Sequence, residues 1–363
     1  MQIINEVQLD YSDVLIVPQT TTINHRGEVE VVRHFKQLCL DACPIMNANM
    51  TQTGTFEVAK KMVENQMFGC IHKFYTSEQI KNFFEKDNCS LYFVTIGLRN
   101  RDEEIEKLKS LNAYNFSILI DVPNAYIPDV EKYVRDVRKE FPNRIIAVGN
   151  VCTGDRTQEL LKAGADIIKL NIGPSKVCRT RHTTGCGRPA LSTVIECANA
   201  AHQVGGLVIA DGGFNEIGDF CKAFVAGADI CMSGCFFAGT DEAAGNIIEK
   251  MYRTNEYEWE DMNACNDEPY VLPDPIKPIY EMKQFKEYYG MSSFRAQCEN
   301  YGQKTTTGTS EGVESKLIPY TGPVIDTINN IKGGIRSCGS YIGAKNVKYF
   351  SRQGSFYRVN RIQ

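Results

Sequence analysis

The chain has 363 residues, a formal net charge of -4 and 43% hydrophobic residues, enough apolar side chain for a large core and too little charge of one sign for a nucleic-acid surface. The start, Met1-Gln2-Ile3-Ile4, has no basic region leading into a long apolar run, and no stretch reaches the roughly 18 apolar residues of a membrane span, so neither a secretory leader nor a membrane partner is expected. The 14 cysteines are scattered without a Cys-x-x-Cys, which supports neither a zinc ribbon nor a disulfide framework and fits reduced thiols in a cytoplasmic protein.

Residues 2–40, with the basic pair His25-Arg26, read as an extended N-terminal arm. A strand–helix rhythm follows. Residues 44–50 form a short strand and 55–64 a helix with Phe56, Ala59 and Val63 on one face. Residues 68–73 are the second strand, and Ser77 caps a helix through Phe84. The third strand is 91–96, before a charged helix over 102–111. The fourth is 116–122, with a helix after it to about Phe141. Strands five to eight are 144–151, 166–172, 207–213 and 229–234. The unit Ala-Gly-Ala-Asp occurs twice, at 163–166 and 226–229, each time closing a helix on glycine and opening a strand. Eight strands alternating with helices predict an α/β fold, a closed (β/α)8 TIM barrel in one catalytic domain over 1–363. An open doubly wound sheet is the alternative, but no Gly-x-Gly-x-x-Gly opens the first unit. Beyond strand eight, residues 251–277 read as a surface insertion, 301–312 as a mobile flap, and 322–344 as helix.

Barrel chemistry sits at strand C-terminal ends. Polar residues gather there: Asn47 and Asn49, His72 and Lys73, Asp121 and Asn124, Asn150, Asp211-Gly212-Gly213, and Ser233-Gly234-Cys235. The richest end is the sixth. It breaks at Gly173-Pro174 and sets Cys178 beside Arg179, Thr180 and Arg181, with Gly185 and Gly187 beyond. A thiol among cations has a lowered pKa, and thiolate is the nucleophile. The plainer alternative is an inert cysteine in a strand-to-helix turn. At strand seven the Asp211 carboxylate suits a ribose diol, and the glycine amides there and at Gly234 suit a phosphate; both stretches also read as tight turns.

The run Gly173-Pro174-Ser175-Lys176-Val177-Cys178-Arg179-Thr180-Arg181, then Thr184-Gly185-Cys186-Gly187-Arg188-Pro189, resembles the catalytic loop of the IMP dehydrogenase/GMP reductase family. That pattern is Gly-Pro-Gly-Ser-x-Cys-x-Thr-Arg followed by Thr-Gly-x-Gly-x-Pro. The resemblance runs from about Tyr11 to Val359. It implies reductive deamination of GMP to IMP with NADPH: Cys178 attacks purine C2, ammonia leaves on a proton from the Thr180–Glu311 pair, and hydride reaches C2 of the thioimidate. It implies substrate contacts from Asp211, Gly212, Gly213, Gly234, Cys235, Gly290, Met291, Ser292, Ser310 and Gly312. Cofactor contacts fall on His25, Arg26, Lys73, Asp121, Asn124, Arg181, Met291, Ser337 and Ser340, and K+ on the carbonyls of Asn171, Gly173 and Cys178. It also implies a homotetramer.

Three features favour the reductases over the dehydrogenases. Lys73 runs straight into Phe74-Tyr75-Thr76-Ser77, with no regulatory domain inserted; residues 301–311 hold no arginine; and Gly54-Thr55-Phe56 and residues 196–202 resemble the reductase helices. The alternatives are an IMP dehydrogenase without regulatory domains and an inactive nucleotide-binding regulator. The chain departs from the pattern at Asn171 and Ser175, both glycine in the family, at Lys176 for serine, Arg179 for threonine, and Gly308 for a flap arginine. Lys176 is expected to pair with the nucleotide 5′-phosphate as a point charge.

Overall fold

The computed structural model describes residues 3–258, 277–302 and 309–359. The arm is not simply extended. Its β1 (Val14–Ile16) pairs antiparallel with the C-terminal strand Phe356–Arg358, and β2 (Arg33–Phe35) turns back on the start of β3 (Leu40–Asn47) as a hairpin. Phe35 and Leu38 thereby bury themselves among the barrel's inward residues. The sequence carried no turn signal there, since the reversal runs through Cys39 at φ 53, an uncommon conformation for a non-glycine residue.

From β3 the units alternate: α1 (Phe56–Glu64), β4 (Met67–Ile71), α2 (Ser77–Phe84), β5 (Tyr92–Ile96), α3 (Arg101–Ser110), β6 (Ser117–Asp121), α4 (Pro128–Glu140), β7 (Ile146–Val151), α5 (Gly154–Lys162) and β8 (Ile167–Leu170). Then come the short α6 (Thr180–Thr184), α7 (Ala190–Gln203), β9 (Leu207–Asp211), α8 (Ile217–Val225) and β10 (Ile230–Ser233). Each strand from β3 to β10 pairs parallel with the next, and β10 pairs back onto β3, so the barrel closes. The α2 cap is Thr76 rather than Ser77: its hydroxyl accepts Gln79 N, while the Gln79 side chain returns to Thr76 N.

Alternation along each strand divides the core. Met46, Phe68, Phe93, Leu119, Ala147, Ile167, Ile209 and Met232 fill the barrel; Ile45, Ile71, Val94, Ile118, Val148 and Ile168 pack outward against the helices.

After the barrel, β11 (Ile247–Glu258) and β12 (Lys277–Tyr288) form a long antiparallel ribbon, joined beyond α9 (Phe294–Tyr301) by β13 (Lys316–Pro319). The expected insertion at 251–277 is therefore, in its described part, two paired strands; residues 259–276 lie outside the described residues. The ribbon's root is fixed. Lys286 is buried, and its ammonium donates to the carbonyls of Thr240 (2.7 Å) and Ala243 (2.7 Å). Its outer end is exposed, with Met251 opposite Met282. α10 (Val324–Ile342), α11 (Phe350–Gln353) and β14 (Phe356–Arg358) complete the chain.

Candidate active site

The barrel mouth holds a row of alternating charges. Lys169 is 3% exposed, and its ammonium lies 2.6 Å from Asp121 and 3.2 Å from Asp211. Lys73 reaches Asp121 at 3.8 Å, and Asn150 Nδ2 donates to Asp211 at 3.1 Å. Burial works to raise the Asp121 carboxyl, but Lys169, Lys73 and a hydrogen bond from Asn49 outweigh it and hold it at about 2. Burial works against the Lys169 charge, and the two carboxylates overcome that and raise its pKa. Both groups are ionised at neutral pH. The sequence reading passed over Lys169 as part of a buried strand. The signal was there: a lysine in Ile167-Ile168-Lys169-Leu170 shares the inward face with Ile167, and an inward charge needs partners.

Asn47 is not available to a ligand. It is fully buried and clamps β3 to β4, accepting Cys70 N and donating to the carbonyls of Thr53 and Cys70. His72 stacks on Tyr75 at 4.0 Å, and burial lowers its pKa to about 4, so its ring is neutral at pH 7.

The Cys178 loop leaves β8 through Asn171 at φ 79, where asparagine serves a left-handed position in place of the expected glycine. The Cys178 thiol lies 3.2 Å from Thr180 Oγ1. Against it docks residue stretch 310–313 in a short antiparallel rung: Arg179 N donates to Glu311 O (2.7 Å) and Val313 N to Val177 O (2.9 Å), with Cys178 opposite Gly312. Gly290 N in turn donates to Val313 O, so the Gly290-Met291-Ser292 turn closes over the same rung. A Cβ on Gly312 would meet Gly290 Cα at 3.0 Å; both must be glycine for this approach. The Cys178–Thr180 pair and the backbone of Glu311, far apart in sequence, are thus brought together. Residues 303–308 of the expected flap, including Gly308, lie outside the described residues.

The expected cationic flank is corrected on one side. Arg181 turns away from the thiol: its guanidinium donates to the carbonyls of Ile172 (3.1 Å) and Arg188 and stands 3.6 Å from Asp10. It braces the loop, because the positive-φ turns at Gly173 and Gly187 leave carbonyls that need donors. The same contacts bear on the expected K+. Asn171 O already accepts Asn150 Nδ2 at 2.9 Å, and the Arg181 side chain lies against Gly173. Part of the lining expected for K+ is thus already in contact with protein groups.

Two residues with no site signal in the sequence stand at the glycine turns after β9 and β10. Ser175 Cβ would lie 3.7 Å from a Cβ on Gly212, and the Tyr288 hydroxyl fills the space a Gly234 side chain would take. The Lys176 ammonium acts on the Cys235 thiol, lowering a pKa that burial raises. Tyr288, Val177 and Ala238 form one small buried cluster that seats the loop on this turn.

His25, Arg26 and Ser337 line one cavity of about 970 Å3 beside the barrel, with Lys222 and Arg336. Ser340 Oγ donates to Ser337 O one turn on. Asn124 Oδ1 accepts Tyr126 N and shapes its own loop. Thr51 Oγ1 touches Met291 Sδ at 3.6 Å, and Ser310 Oγ donates to Gly312 O.

The chain matches the family model described as IMP dehydrogenase / GMP reductase domain over residues 8–259 and 276–362. It is 36% identical over 367 residues to a GMP reductase of Vibrio atlanticus, covering 99% of this chain and 97% of that protein. It is 39% identical to a GMP reductase of Phytophthora infestans (98% and 92% covered) and 38% identical to GMP reductase 2 of Bos taurus (98% and 96% covered).

Proposed function

The chain belongs to the IMP dehydrogenase/GMP reductase family, and from that premise we propose that it reduces GMP to IMP with release of ammonia. The observation that carries the reading is the rung joining Cys178 and Thr180 to Glu311. Cys178 Sγ attacks purine C2, its proton passing toward Thr180 Oγ1 at 3.2 Å. The C2–NH2 bond breaks as Glu311 supplies a proton, and ammonia departs from a thioimidate on Cys178. NADPH supplies the hydride that reduces C2, after which the C2–S bond breaks and IMP leaves.

Asp211, held by Lys169 and Asn150, accepts from the ribose diol. The amides of Gly213 and Gly234, the Tyr288 hydroxyl and the Lys176 ammonium hold the 5′-phosphate, and Met291 and Ser292 face the base. The cavity with Arg26 and Arg336 has the charge and room for the 2′-phosphate end of NADPH. In a tetramer it would serve a neighbour's cofactor, while Lys73 faces the nicotinamide. Every described cysteine is free, which suits a reducing, cytoplasmic setting; among the described residues no helix is long and apolar enough to cross a membrane.

The test is to mix the protein with GMP and NADPH, and separately with IMP and NAD, following nicotinamide absorbance. Loss of absorbance in the first mixture is the expected result. A gain in the second with none lost in the first identifies a dehydrogenase, and silence in both a nucleotide-binding regulator.

A further inference from the structure

The cavity beside the barrel also brings two thiols, Cys221 of α8 and Cys338 of α10, to one wall. The two helices lie side by side in a fixed register. The Ile217 side chain packs directly onto Gly334, where any side chain would collide with it, so α8 seats against the bare backbone of α10 there. One turn on from Ile217, Cys221 Sγ reaches Gly334 O at 3.7 Å. One turn on from Gly334 stands Cys338, whose side chain leans back over the Gly334 turn, as helical side chains do, toward Cys221 on the same cavity wall; Cys338 and burial together raise the Cys221 pKa. The contacts 217 to 334 and 221 to 334 step along both helices, and the next step in that register pairs 221 with 338. Neighbouring helices in register are what a disulfide between them requires. Cys221 is 3% exposed, and Cys338 is half-buried and faces the cavity, so one thiol is reachable and the other stands behind it. Arg26 and Arg336 on the same walls attract an anionic reagent, whereas Lys222 is already paired with Asp219 at 3.1 Å.

We propose that Cys221 and Cys338 are an oxidative modification site, closed into a disulfide by an anionic low-molecular-weight disulfide that enters this cavity. The Cys338 thiolate attacks one sulfur of the incoming R–S–S–R. That S–S bond breaks, R–S⁻ leaves, and Cys338–S–S–R forms. Cys221 gives its proton to the departing thiolate and attacks Cys338 Sγ, displacing the second R–S⁻, which is protonated by solvent. The protein loses two protons and two electrons, and R–S–S–R becomes two R–SH. The bond ties α8 to α10 inside the cavity and removes both thiols from its wall. Only the consequence for catalysis, weaker cofactor binding, rests on assigning this cavity to NADPH.

The experiment equilibrates the full chain with GMP in glutathione buffers of rising disulfide content. Free thiols are then alkylated in acid, and the unreduced digest is read by mass spectrometry. A peptide crosslinked through 221 and 338 is expected, with both residues lost from the alkylated pool together. Cys221→Ser should trap Cys338 as its glutathione mixed disulfide, and Cys338→Ser should leave Cys221 a free thiol. Wild-type protein that accumulates the mixed disulfide at Cys338 while Cys221 stays alkylated overturns the proposal. The KM for NADPH, unaffected by a fraction of molecules oxidised at Cys178, should rise severalfold on oxidation and return with a dithiol reductant. A crosslink with unchanged KM removes the cavity from the cofactor's path and leaves the thiol pair standing.

Discussion

Both ends of the barrel place carboxylates at strand termini, and they spend them differently. At the N-terminal end, Asp166 accepts Ile146 N (2.8 Å) and pairs with Arg138 (2.6 Å). Asp229 accepts Val208 N (2.9 Å) and pairs with His202 (2.9 Å) and Arg33 (3.2 Å). Each ties its strand to the one before it, which is why Ala-Gly-Ala-Asp appears twice. At the mouth, Asp121 and Asp211 share Lys169 and keep side chains 22% and 23% exposed. The lower carboxylates are committed to the neighbouring strand and to cations, Asp229 through both oxygens and Asp166 through Oδ2. The upper ones are held ionised and positioned, with oxygens left for a ligand.

Cys178→Ala should abolish turnover while calorimetry still shows GMP binding, and the trapped wild-type adduct should map to Cys178 by mass spectrometry; an adduct on Cys186 would displace the assignment. Glu311→Gln should slow ammonia release by roughly 10²- to 10⁴-fold with nucleotide binding retained, read in single-turnover experiments. A loss below about tenfold would move the acid to Thr180 alone. Third, Lys169→Met should leave two carboxylates facing each other, costing on the order of 3 kcal/mol in denaturant unfolding and raising the KM for GMP. Asp229→Asn should lower stability and leave kcat/KM as it was. Equal kinetic damage from the two would erase the distinction between the ends.

Lys176→Ser should raise the KM for GMP about three- to tenfold with kcat unchanged, the pattern of lost uniform binding. Added salt should raise the wild-type KM more than the mutant's. The smallest effect belongs to His202. Its hydrogen bond to Asp229 raises its pKa above the ordinary histidine value of about 6.5 against the opposing effect of burial. The protonated ring therefore contributes stability fully below about pH 6.5, and that contribution fades as pH rises through the higher folded value. Half-exposed, it is worth less than about 1 kcal/mol. The wild-type melting temperature should fall from pH 6 to 8 more steeply than that of His202→Gln.

The barrel was legible because eight apolar runs end in polar residues at regular spacing, and the nucleophile because its loop keeps a specific spacing of Cys178, Thr180 and glycines. The hairpin at β2 was hidden, since Cys39 gives no turn signal. The ribbon was hidden because β11 and β12 are polar on much of their surface and pair with each other rather than with an apolar face. Lys169 was hidden by its neighbours, and the direction of Arg181 by tertiary contact alone: a sequence shows a cation next to a thiol but not which carbonyls compete for it.

The rung between the Cys178 loop and residues 310–313 has a consequence for variation. Its bonds, Arg179 N to Glu311 O and Val313 N to Val177 O, are made by main chain. Side chains on either segment can be exchanged without altering them, so the loop can drift at Arg179 or Lys176 and still find the acid. Outside the glycine pair at 290 and 312, whose close contact bars any side chain, only proline at 179 or 313 deletes a donor. The pairing of nucleophile and acid is in that sense inherited through the backbone, and ordinary substitution retunes the chemistry on each side without separating the two.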